Sequence, residues 1–253
     1  TLTRLCDTLQ EQLLNDSGID LYLSGTTALL AVVVPQGCWL ANIGDSGAPS
    51  TGIIWHAHRL TADHTFASPA ERDRIARLPG ARVEALLGPD GAPDGPLRLF
   101  KGTLPYPGIV VTRSLGDAVA SRLGVIATPD IVWHAWRHGH DACLVLGTDG
   151  LWDGIDLATL LTHLAPALPS PALALAGAAA AAGSGTVAEP DVAQLSQHLA
   201  DVSLAGLERL QIDDNSTNVL VMIPRLSGVA TATTTTTPLA TAVAAAPSMT
   251  VAS

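Results

Sequence analysis

Leu2, Leu5, Cys6, Leu9 and Leu13 recur at spacings of three and four, which predicts a helix with one buried face over residues 2–14. Asn15-Asp16-Ser17-Gly18 ends it. From Thr26 to Val34 the chain turns apolar and β-branched, and Pro35-Gln36-Gly37 separates this run from a second, Cys38 to Ile43, so a strand pair with a short turn is expected. Ile53 to Leu60 reads as a third strand. Ser68-Pro69-Ala70-Glu71 has the form of a capping box with proline in the first turn, opening a helix to about Leu78. The stretch from Gly88 to Pro96 is broken throughout by Gly and Pro and reads as a loop. Further strands are expected at Ile109–Thr112, Ile131–Ala135, Ala142–Leu146 and Val219–Ile223, and a helix over Asp191–Leu210. Hairpin-like strand pairs mixed with helices, without regular alternation, predict an α+β fold with antiparallel sheets.

Two segments depart from this patterning. Between Asp156 and Glu189 no residue carries a formal charge, yet Pro166, Pro169 and Pro171 interrupt the run and Ala dominates it. A helix followed by an Ala/Pro/Gly-rich insertion at about 165–190 therefore fits better than a membrane span. After Pro224 the chain is rich in Ala, Thr and Pro with almost nothing to bury, so residues 227–253 are expected to form a disordered tail behind one domain over 1–226.

Composition narrows the function classes. The 253 residues carry a formal net charge of -10, which argues against a nucleic-acid or anionic-membrane surface and is compatible with a site for divalent cations. The three cysteines, Cys6, Cys38 and Cys143, are far apart in apolar surroundings. They form neither a disulfide framework nor a zinc motif and point to buried, reduced thiols in an intracellular compartment, cytoplasmic or nuclear. The only methionines are Met222 and Met249, so the chain reads as processed or as an excerpt from something longer.

The chemistry turns on Asn42-Ile43-Gly44-Asp45-Ser46-Gly47-Ala48-Pro49, which has the look of a trypsin-like nucleophile loop. That reading needs a catalytic histidine before the serine, and the first histidine, His56, follows it. The aspartates offer another reading. Asp45 follows one apolar strand, Asp149 follows another with Asp153 four residues on, and Asp213-Asp214 immediately precedes the last strand. Acids at strand ends can converge on one edge of a fold, where adjacent carboxylates need a hard cation such as Mg²⁺ or Mn²⁺ to offset their repulsion. The competing structural reading is that each simply forms a turn. His56 and His58, and the group His134, His138 and His140, have spacings that a zinc site could use, but read better as surface and loop histidines.

Seven segments then carry a resemblance: Ser24-Gly-Thr-Thr-Ala28, Ala41-Asn-Ile-Gly-Asp-Ser46, Leu60-Thr-Ala-Asp-His64, Val111-Thr-Arg-Ser-Leu-Gly-Asp117, Gly124-Val-Ile-Ala-Thr-Pro-Asp130, Leu146-Gly-Thr-Asp-Gly-Leu-Trp-Asp153 and Asp214-Asn-Ser-Thr217. In order and spacing they resemble the metal-dependent serine/threonine protein phosphatases of the type 2C class, over roughly residues 1–223. The resemblance implies a sandwich of two antiparallel sheets flanked by helices. It implies hydrolysis of phosphoserine and phosphothreonine on phosphoprotein substrates with two or more Mn²⁺ or Mg²⁺ ions, by a monomer acting without nucleic acid or membrane. Asp149 and Asp214 match the family's core metal aspartates, with Asp213 as the alternative to Asp214. Asp45 and Asp153 match the pair that, with Asp149, holds a further, weaker ion.

Two departures accompany the match. The family's Asp-Gly-His-Gly-Gly segment, with its bridging Asp and a nearby Arg and His, is absent, which implies that the amino-terminal strands are missing from the chain as given. Gly47 stands where the family often has Arg. The alternative function is a pseudophosphatase that binds phosphoproteins or partners without turnover.

Overall fold

The computed structural model describes residues 1–51, 56–137, 140–168, 191–214, 216–223 and, for the backbone, 241–245. The chain divides into two compact units that alternate along the sequence: Thr1–Val34, Cys38–Ser46 and Thr61–His134 form the first, and Pro35–Gly37, Gly47–Leu60 and Ala135–Ser253 the second.

The first unit opens with α1 (Leu2–Asn15), capped by the Thr1 side chain on the Arg4 amide. The leucine spacing predicted this helix, and Cys6 is its buried anchor, packed with Ile43, Leu115, Leu13, Ala28, Leu30 and Ala127. The apolar run from Thr26 does not form one strand. β1 (Gly25–Thr26) pairs antiparallel with β9 (Leu115–Gly116), whereas β2 (Ala28–Val34) forms the expected hairpin with β3 (Gly37–Ile43) through Pro35-Gln36. The resulting sheet has the order β10-β3-β2, with β10 spanning Asp130–Ala135.

α2 (Pro69–Ala76) starts where predicted, but the capping box is not made, because the Ser68 side chain accepts no cap hydrogen bond. Glu71 does not reach back to the cap; its carboxylate takes Arg113, Arg74 and Thr112 instead. The expected loop at 88–96 also needs correcting. β6 (Ala81–Leu87) and β7 (Pro93–Lys101) form a hairpin, and β8 (Pro107–Ile109) completes its sheet. Pro93 and Pro96 fit into β7 because β8 pairs only with Leu99 and Phe100, so the start of β7 is an edge needing no donor on that side. The unit's second core gathers Phe66, Ile75, Leu99, Ala120, Leu123 and Val125, with Ala120 in the short helix α3 (Ala118–Ser121).

The second unit is built on a five-stranded sheet of order β13-β12-β11-β4-β5. Its centre is β11 (Cys143–Gly147), buried along its whole length, paired antiparallel with β12 (Thr217–Met222) and β4 (Pro49–Thr51); β5 (Ala57–Arg59) lies beyond β4. β5 lies within the predicted 53–60 strand, whose residues 53–55 are outside the described residues. β13 (Thr241–Ala245) adds antiparallel to β12, in a segment where the sequence suggested disorder. A free strand edge offers backbone partners to any extended segment, which composition alone does not reveal. The rest of the expected tail, and the insertion from 169 to 190, lie outside the described residues.

Helices α4 (Asp149–Gly154), α5 (Leu157–Leu164) and α6 (Val192–Leu210) pack on this sheet through Leu151, Ile155, Leu160, Leu164, Leu195 and Leu199. Among the described residues no helix is long and apolar enough to cross a membrane. The three cysteines are buried thiols, as expected. The architecture is α+β, antiparallel sheets flanked by helices.

Candidate metal centre

In the second unit, the buried β11 carries the chain to Thr148 and then directly into α4, so Asp149 stands in the first turn of the helix and Asp153 one turn later. Both are exposed. Four residues apart, they share one helix face, where like charges repel. Asp149 benefits from the helix N-terminus and accepts a hydrogen bond from the Gly150 amide at 3.0 Å. Asp153 lies in the last turn, where the helix dipole disfavours an anion, and no basic residue occupies that turn. Two carboxylates on one helix face are donors of the kind a hard divalent cation takes.

α4 is held by unusually close backbone packing. A Cβ built on Gly206 of α6 would collide with the Gly154 carbonyl, and one on Gly154 with the Ser203 backbone. The buried Ser203 hydroxyl donates to the Gly150 carbonyl at 2.8 Å. Trp152 donates from Nε1 to the Gly147 carbonyl at 3.0 Å, and its indole covers Gly47, where a Cβ would lie 2.9 Å from Nε1. Gly47 and Gly147 in turn exchange two backbone hydrogen bonds, each 3.0 Å. The glycine at position 47 thus has a local steric reason: any side chain there requires the indole to give way.

Asp213 and Asp214 precede β12 and are exposed. The β11–β12 register pairs Gly147 with Asn218, and the Thr148 amide donates to the Thr217 carbonyl at 3.0 Å. The Thr217 amide donates back to the Thr148 hydroxyl at 3.2 Å. The strand exit toward Asp149 and the strand entry from Asp214 therefore occupy the same end of this sheet.

Asp45 belongs to the first unit, on the turn after β3, and is half-buried. The preceding Gly44 has φ +103°, and a Cβ there would collide with the Thr27 side chain, so only glycine fits. Its carbonyl accepts from the His64 amide at 3.0 Å and from the Asn42 side chain at 3.0 Å; its amide donates to His64 Nδ1 at 3.2 Å. Ser46 is buried, its hydroxyl 3.2 Å from that of Thr27. His64 Nε2 meets Asp130 at 3.0 Å, so a His–Asp pair does stand near this serine. Both imidazole nitrogens are committed to Gly44 and Asp130, which leaves no base for Ser46 and removes the protease reading.

Behind this pair lies a charge network. Arg113 donates to Asp130 at 2.7 Å and to Glu71 at 2.7 Å, and Arg74 donates to Glu71 at 2.7 Å. Burial pushes the Glu71 carboxyl up, but the hydrogen bonds from Arg113, Arg74 and Thr112 outweigh it and hold the group down at about 2. Burial likewise acts upward on Asp130, and hydrogen bonds from His64 and Arg113 bring it below the ordinary carboxylate range. Arg113 is therefore structural, its guanidinium held by Asp130 and Glu71.

Asp149, Asp153 and Asp214 offer only carboxylate oxygens, the donor type that a hard divalent cation takes. Among the described residues, no group of three or more His, Cys, Asp or Glu side chains converges to hold a metal. The acids thus fit such an ion in kind. The histidine candidates give no zinc site among these residues: the His56 and His58 rings are 6.2 Å apart, and His138 lies outside the described residues.

Comparison with known proteins gives a consistent answer. The family model for protein phosphatase 2C matches residues 5–162. "Probable protein phosphatase 2C 12" of Oryza sativa subsp. japonica is 37% identical over 140 residues, covering 53% of this chain and 34% of that protein. "Probable protein phosphatase 2C 73" of Arabidopsis thaliana is 33% identical over 158 residues, covering 60% of this chain and 40% of that one. The chain thus spans less than half the length of these relatives. Among solved structures, a C. elegans sex-determining protein superposes with a TM-score of 0.65 at 20% identity, covering 88% of this chain and 46% of that one. Serine-threonine phosphatase 2C from Toxoplasma gondii does so with a TM-score of 0.56 at 19% identity, covering 87% and 61%. These structural likenesses concern the fold.

Proposed function

Because the chain belongs to the protein phosphatase 2C family, we propose that it hydrolyses phosphoserine and phosphothreonine on proteins, with water as the nucleophile and no phosphoenzyme. The family is metal-dependent, and the ions proposed here are Mn²⁺ or Mg²⁺, two or more. Asp149 and Asp214 are the proposed principal metal carboxylates, and Asp153 and Asp45 the accessory ones. The observation that carries this reading is α4: two exposed acids, four residues apart on one face of a helix that is closely seated on α6.

When bound, such an ion supplies Lewis acidity toward water and neutralises phosphoryl oxygens. The chain's own contribution is placement. β11 and the Gly154–Gly206 contact fix the backbone from which Asp149 and Asp153 project. Arg113 has its guanidinium occupied by Glu71 and Asp130, so it is not poised to neutralise a phosphate dianion. Ser46 has no part in bond making.

The test is phosphate release from phosphothreonine and phosphoserine peptides as Mn²⁺ or Mg²⁺ is added and then chelated. Release that needs the metal and stops with chelation is expected. Release indifferent to chelation, or covalent labelling of Ser46 by a fluorophosphonate, would overturn the reading. Phosphopeptide binding without release, with metal present, would replace catalysis by binding.

A further inference from the structure

We propose that His64 is a positioning residue for Asp45: its Nδ1 holds the Gly44 amide, and Asp130 fixes the tautomer that makes this possible. The proposal rests on Asp45 being a metal carboxylate, as inferred above.

Three hydrogen bonds fix the Gly44 peptide groups, and two of them end on His64, one on its main chain and one on its ring. A backbone amide can only donate, so the Nδ1 atom 3.2 Å from it must accept and carries no proton. The ring proton then sits on Nε2, where it meets Asp130 Oδ2 at 3.0 Å. Asp130 is anchored in turn: its Oδ1 accepts from Arg113 at 2.7 Å, and Arg113 is tied to the Thr128 carbonyl at 3.0 Å and to Glu71. His64 is 2% exposed, so water does not compete for either nitrogen.

The order of control is Glu71, Arg113, Asp130, His64, Gly44, and it ends one peptide short of Asp45. Gly44 itself is permissive in conformation, with no side chain to pack, so it contributes little to fixing the direction in which Asp45 leaves. The imidazole supplies what the glycine lacks. Groups of this kind, behind a metal carboxylate, commonly alter metal affinity by about 10- to 100-fold when removed.

Two substitutions separate positioning from general packing. In His64→Asn the amide oxygen falls near the place of Nδ1 and can accept from Gly44. In His64→Gln the amide reaches the place of Nε2 and keeps Asp130, while the Gly44 amide loses its acceptor. The whole chain carrying each change is examined three ways: hydrogen exchange at the amides of Gly44 to Ser46, Mn²⁺ affinity by water-proton relaxation, and the urea midpoint. The expectation is faster exchange and about 10-fold weaker Mn²⁺ binding for His64→Gln, with both largely restored in His64→Asn at a similar urea midpoint. If both variants weaken binding in step with their loss of stability, or neither alters exchange at Gly44, the proposal is wrong. Asp45→Asn separates the two levels. Should it leave Mn²⁺ affinity unchanged, the metal reading of Asp45 fails and takes the positioning role with it. Should it weaken binding while His64→Gln does not, only the positioning role fails.

Discussion

The Glu71–Arg113–Asp130 network of the first unit and helix α4 of the second treat charge in opposite ways. In the first, Glu71 and Arg113 are buried or nearly so, and each is matched by a partner of opposite sign. In the second, Asp149 and Asp153 are exposed on one short helix whose last turn has no basic residue. Matched, buried charges serve the fold and strongly disfavour being separated. Exposed like charges on a rigid support serve the fold poorly and suit a ligand of opposite sign. An acidic residue therefore means different things according to how deeply it is buried and how it is held.

The largest effect expected from breaking this contrast is in the first unit. Glu71→Ala leaves Arg113 partly buried beside a missing partner and should lower stability by about 3–5 kcal/mol in urea unfolding. Its pH signature follows from a carboxyl held down at about 2 against an ordinary 4.5. A depressed acid contributes fully above its unfolded value, so stability should fall as pH drops from about 4.5 toward 2 and continue until the folded group is protonated. In Glu71→Gln that part of the acid limb should flatten, as measured by urea midpoints between pH 5 and 2.

Next comes the second unit. Asp149→Asn should leave the urea midpoint nearly unchanged while lowering metal-dependent phosphate release by about 100-fold, or 2.7 kcal/mol of transition-state free energy. A loss of stability comparable to that of Glu71→Ala would erase the contrast between the units. Gly206→Ala should sharpen it: forcing a methyl group against the Gly154 carbonyl should lower stability by about 1–3 kcal/mol and shift the metal requirement upward, since α4 must move. The smallest effects concern the turn after β3. Asp45→Asn should raise the Mn²⁺ requirement about 10-fold, and Ser46→Ala should change turnover by less than about twofold. A larger effect for Ser46→Ala than for Asp45→Asn would count against the phosphatase mechanism.

Much of the frame was legible because period and burial coincide. The leucine spacing of α1, the spacing in α6 and the apolar run of β11 each reflect a single buried face or a fully buried strand. β6 and β7 were not legible, because Pro93, Gly95 and Pro96 signal a loop unless the neighbouring strand is known to stop short. The candidate acids could be read from strand ends followed by glycine. His64 could not: its role depends on Gly44 and Asp130, 20 and 66 residues away. The available signal was its place beside Asp63 in a recognised segment, which names the residue without assigning it a task. Likewise, the sequence shows only that Gly47 stands where the family often has Arg, whereas its steric reason lies in Trp152, over 100 residues away.

The junction of α5 and α6 has a consequence for chain length. Leu160 and Leu164 on one helix and Leu195 and Leu199 on the other share one core, and His163 Nδ1 meets His198 Nε2 at 2.9 Å across the pair. The two points from which residues 169–190 depart and return are thus set by the sheet and its helices, whatever connects them. A change of length between residues 168 and 191 is therefore expected to leave the seat of α4 intact, because Leu160, Leu164, Leu195 and Leu199 hold the two helices to the sheet without it.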